Sequence, residues 1–113
     1  MRPAVDLVHL ARYTGGDEAL NAEVLGLFDT QATELVGRLR DGLEARDAKT
    51  WMEITHTLKG AARGIGAFGF GDVAAAAEPI DLVRDHASAD LAIRSLAASS
   101  AEVQSFIRDY LKR

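Results

Sequence analysis

Cysteine is absent from this 113-residue chain, so it can hold neither a disulfide framework nor a thiolate metal site. Prolines number two, and four Phe, two Tyr and one Trp make up all the aromatics. With 48% of the residues apolar, many of them alanine, this profile favours helices over sheet. No apolar run approaches the roughly 18–20 residues of a membrane span. Met1-Arg2-Pro3-Ala4-Val5-Asp6 lacks the basic flank and apolar stretch of a signal peptide. The expectation is a cytoplasmic protein without a membrane segment. Positive charge is not in excess either. The formal charge of −4 argues against a nucleic-acid partner, which wants a basic face. The length suits a single domain, residues 1–113, able to bury one core.

What is present is helical periodicity broken by turn residues. Val5 to Tyr13 reads as a short helix ending at Gly15-Gly16, and Asp17 can cap a long one. Leu20, Val24, Leu27, Phe28, Leu35, Leu39 and Leu43 keep helical spacing to about Ala45. Asp47 can cap the next helix, about 47–65, and Gly66-Ala67-Phe68-Gly69-Phe70-Gly71 marks a tight turn and a helix start. A fourth segment from about Phe70 to Arg84 carries Val73, Ala77, Ile80 and Leu82 or Val83, and Pro79 within it should bend or loosen it. Ser88 can cap a last helix holding Leu91, Leu96, Val103, Phe106, Ile107, Tyr110 and Leu111. Short connections between long amphipathic helices imply antiparallel neighbours. The predicted fold is all-α, an antiparallel up-and-down four-helix bundle with a short additional N-terminal helix across one end.

The chemistry concentrates in the third segment. At about 100° per residue, Trp51, Ile54, Leu58, Ala62 and Ile65 share one face, and His56 stands opposite them. Met52, Lys59, Gly60, Arg63 and Ala67 surround His56 on its own side. A single helical histidine is usually just a surface residue, and two nearby cations can be a solvated basic patch. That account explains the charges but not the glycines. Gly60 and Gly64 each cost about 1 kcal/mol in a helix interior. Gly60, one turn from His56, leaves room for a bulky partner or a phosphoryl group; the competing explanation is close helix packing, and for Gly64 packing has at least equal weight. His9 and His86 have no companions at metal-ligand spacing, and both read as incidental.

His56-Thr57-Leu58-Lys59-Gly60, followed by Ala61-Ala62 and Ile65-Gly66, resembles the H-x-L-K-G signature of histidine-containing phosphotransfer (HPt) domains. The likeness runs over essentially the whole chain, from the Gly15-Gly16-Asp17-Glu18 helix start through the Ala45-Arg46-Asp47 turn. Gly64, where a polar residue is common, and Pro79 depart from the pattern. The resemblance implies a phosphoryl carrier, not a turnover enzyme, working between aspartates of receiver domains, with His56 as phospho-acceptor. Lys59 would neutralise the phosphoryl group, Arg63 would add a secondary charge, and Gly60 would give steric access. It also implies a contact from Glu78 to the imidazole, which would fix the tautomer; the plainer reading of Glu78 is an ordinary surface glutamate. Met52, Ala67 and Phe68 would form an apolar docking patch. Receiver domains and a hybrid histidine kinase are the implied partners, with Mg²⁺ on the receiver and no cofactor on this chain. The chain is expected to be monomeric, and its N-terminal Met and finished last helix favour a free-standing protein. A bundle of the same shape that docks a receiver or kinase without carrying phosphate is the alternative. Retention of His56, Lys59 and Gly60 together weighs against it.

Overall fold

The computed structural model describes residues 2–112. Its five helices are α1 (Leu7–Thr14), α2 (Glu18–Glu44), α3 (Ala48–Ile65), α4 (Phe68–Ala77) and α5 (His86–Leu111). Helices α2 to α5 close a ring in which α3 packs on α2 and α4, and α5 packs on α4 and α2. The result is the four-helix bundle expected, drawn out to 45 × 25 × 22 Å. The short α1 lies against α2 and α3. No helix among the described residues is long and apolar enough to cross a membrane.

Local chemistry starts and stops these helices as the turn residues suggest. The carboxylates of Asp6, Asp17, Asp47 and Asp85 accept N–H bonds at the starts of α1, α2, α3 and α5. Asp85 therefore caps α5, and Ser88, expected in that role, instead donates its own N–H to Asp85. His86, which precedes the expected cap Ser88, is the first residue of α5. Gly15 and Gly66 end α1 and α3 in the left-handed region, at φ 66° and 88°. Gly66 also anchors α1: the Asp6 N–H donates to its carbonyl at 2.9 Å. A Cβ at Gly66 would lie 2.6 Å from the Asp6 carbonyl oxygen.

The fourth segment is shorter than expected. α4 stops at Ala77, with Glu78 as its C-cap, because Pro79 has no N–H for the helix ladder. The chain then turns, with the Asp81 carboxylate accepting from the N–H groups of Val83 and Arg84. Leu82 enters the core and Val83 stays in solvent.

The core stripe of α2 is Leu25, Phe28, Ala32, Leu39 and Leu43, and that of α5 is Ile93, Leu96, Val103, Ile107 and Tyr110. Leu27 and Leu91, expected inside, are exposed. Each lies two residues, about 200° of helix rotation, from a core position. Leu20 and Leu111 are exposed as well.

Candidate functional site

Three side chains meet on the outer surface where α3 runs beside α4. His56 lies on α3 with 69% of its side chain exposed. Its Nδ1 is 3.2 Å from Glu78 Oε1. Lys59, one turn further along α3, donates from Nζ to the other oxygen of that carboxylate, Oε2, at 2.7 Å. An ionised carboxylate can only accept, so the Nδ1 bond requires the proton on Nδ1 and leaves the lone pair on Nε2. Among the described residues none is hydrogen-bonded to Nε2.

Packing explains how a glutamate from another helix reaches this spot. Gly71 lets α4 lie close on α3: a Cβ there would come within 2.9 Å of Arg63 Cγ and 3.6 Å of the Lys59 carbonyl. At the far end of α4 the buried Trp51 indole donates to the Ala77 carbonyl at 2.9 Å. That bond fixes the residue just before Glu78. The periodicity of α3 marks Trp51 as core, but its N–H partner is tertiary and not visible in the sequence. Gly71 stood out only as part of a glycine-rich turn.

The charges are arranged unequally. The hydrogen bond from Lys59, with a smaller contribution from His56, holds the Glu78 carboxyl below its ordinary range, against the opposing effect of desolvation. Lys59 and Glu78 are half-buried, with 24% and 23% of their side chains exposed. Arg63 is differently engaged. Its guanidinium leans over α4 to Asp72 at 3.8 Å, and Asp72 also pairs with Arg2 at 2.9 Å.

The glycines of α3 divide from the expectation in one case. A side chain on Gly60 would meet nothing within 4 Å, so the surface beside His56 is open. The same holds for Gly64, which therefore does not serve close packing. Of the three expected docking residues, Met52 is 55% exposed. Ala67 is fully buried and forms no part of the surface. It lies beyond Gly66, whose left-handed backbone ends the helical rotation that placed Ala67 beside His56. Phe68 is half-buried and packs edge-on against His9, with ring centroids 4.9 Å apart. His9 also meets Tyr13 of the same helix edge-on, so its ring sits between Tyr13 and Phe68.

A family model described as Hpt domain matches residues 23–111. No curated protein and no solved structure matches the chain.

Proposed function

Because the chain belongs to the Hpt domain family, whose members carry phosphoryl groups in two-component phosphorelays, we propose that it relays phosphate between receiver aspartates through His56. The observation that carries this reading is the imidazole itself: exposed on α3, with Nδ1 occupied by Glu78 and Nε2 left as the nucleophile. Nε2 attacks the phosphorus of an aspartyl phosphate in line. The P–O bond breaks and its electron pair leaves with the receiver carboxylate. The second half reverses these roles on another receiver.

Phosphoryl transfer asks mainly for positioning and for neutralisation of the equatorial oxygens. Lys59 shares the Glu78 carboxylate with the ring and is the residue for that task. Arg63 is secondary, since Asp72 already claims part of its charge. Gly60 keeps the approach open, and Met52 supplies apolar contact next to the polar centre. Mg²⁺ belongs to the receiver in this scheme. The chain acts as a cytoplasmic, monomeric carrier, with a receiver or a hybrid kinase as its partner.

Phosphate transfer from phosphorylated receivers tests this directly. The protein should acquire acid-labile, alkali-stable phosphate, and His56→Gln should abolish it while the helical circular dichroism stays unchanged. Phosphate retained by the Gln variant would exclude His56 as acceptor. A wild-type protein that binds receivers without taking phosphate would be a docking module.

A further inference from the structure

We propose that Lys59 and the His56 ring use Glu78 in turn, and that this exchange sets how long a phosphoryl group stays on Nε2. The inference rests on the phosphocarrier reading above and concerns the same site. In the unmodified protein Glu78 is divided: Oε2 accepts from Lys59 Nζ at 2.7 Å, and Oε1 meets His56 Nδ1 at 3.2 Å. The shorter bond joins two full charges, so Lys59 holds the larger share of the carboxylate.

A phosphoryl group on Nε2 brings new negative oxygens to the same surface. Lys59 is three residues along α3, on a flexible four-carbon stem, and neighbours His56 on the helix face. Its ammonium turns toward those oxygens and releases Oε2. Glu78 is then left with the imidazole alone.

The proton at Nδ1 gives this exchange its consequence. When Nε2 forms the P–N bond, Nδ1 keeps its proton and the ring becomes a phosphoimidazolium. On transfer out, the P–N electron pair returns to Nε2 and the ring departs as neutral imidazole. Without the Nδ1 proton it would have to depart as imidazolate, a much poorer leaving group. A carboxylate freed from Lys59 holds that proton in place and keeps the phosphoryl group mobile.

Among the described residues, no other charged group, those of α2 and α5 included, forms an ion pair with His56, Lys59 or Glu78. On α3, Lys49 and Glu53 pair with each other, and Arg63 faces Asp72 of α4.

The test uses the full chain phosphorylated by phosphoramidate, freed of donor, and followed by ³¹P NMR from about pH 5 to about pH 9. Glu78→Gln keeps an oxygen for the Nδ1 proton but removes the charge. It should lengthen the phosphohistidine lifetime near neutrality roughly fivefold, the size of one partly exposed charge interaction. Its lifetime profile should move to lower pH. Lys59→Ala, which removes the phosphoryl contact, should change the lifetime itself without moving its profile to lower pH. An unshifted profile in Glu78→Gln, or the same shift in Lys59→Ala, overturns the proposal. The small donor separates this result from the relay itself. A shifted Gln profile in a protein that no receiver labels would sink the relay and leave this inference standing. Receiver labelling with an unshifted profile would do the reverse.

Discussion

The indole of Trp51 and the carbonyl of Ala77 are 2.9 Å apart, and this buried bond joins α3 to the last residue of α4. It fixes where α4 ends and so where Glu78 stands relative to His56. Trp51→Phe should remove the donor and leave a partial void, costing about 1–3 kcal/mol. The Ala77 carbonyl keeps a second donor in the Ile80 N–H at 3.2 Å, so the fold should survive. The sensitive readout is the site: ¹⁵N shifts of His56 should move from the Nδ1–H tautomer toward a mixture. A variant with lowered melting temperature and an unmixed tautomer would show that Glu78 is placed by something other than this bond.

Lys59, one turn from His56 and bonded to Glu78, is the cation proposed to neutralise the phosphoryl group. Lys59→Ala should leave labelling of His56 possible but slow single-turnover transfer roughly tenfold, a modest loss because solvent screens the remaining charges. Measurement at saturating receiver separates this from weakened docking. An unchanged rate would mean that the partner supplies all the neutralisation.

At Gly60 stability and transfer should part company. Nothing lies within 4 Å of an added Cβ, so Gly60→Ala should stabilise the helix by about 0.5–1 kcal/mol. Gly60→Leu should also fold, yet it should hinder a receiver from closing on His56. Melting temperature and receiver-dependent labelling, taken on both variants, check this. A Leu variant that is labelled as fast as wild type would leave Gly60 without a role in access.

His56, Lys59, Gly60 and Arg63 lie within eight residues of one helix, so rotation per residue alone places them together. That method fails where the helix fails. Helical rotation puts Ala67 on the same face, but Gly66 turns the chain into the left-handed region first, and Ala67 ends inside the core. Glu78 is reachable from the family position, but its contact depends on two tertiary facts, Gly71 allowing close approach and Trp51 holding Ala77, as well as on Pro79 ending α4. No local pattern encodes the first two. The boundary of α5 shows a milder limit. Asp85 and Ser88 are both good capping residues, and periodicity does not choose between them. Leu27 and Leu91 are apolar at plausible spacing, yet only the angle at which neighbouring helices pack decides that they face water.

Four carboxyls that hold this fold together titrate below their ordinary values of 3.8 for aspartate and 4.5 for glutamate: Asp47, Glu78, Asp81 and Asp90. The causes are, in order, the Thr50 hydroxyl and N–H at the start of α3, Lys59, the Arg84 and Val83 N–H groups in the turn after α4, and Arg40. Because each binds its proton more weakly when folded, the unfolded chain takes up more protons as pH falls. Their stabilisation is therefore complete above the ordinary carboxylate range and disappears as pH drops through the depressed values. The melting temperature should be level from about pH 8 to about pH 5 and fall steadily below about pH 4. Asp90 offers the cleanest test, since it joins α2 to α5 through Arg40 away from His56. Asp90→Asn should melt a few degrees lower at neutral pH. The gap from wild type should narrow as pH falls through the depressed Asp90 value and close only below it, where both carry a neutral group at that position. A gap that persists unchanged to low pH would show that Asp90 acts through shape and not through its charge.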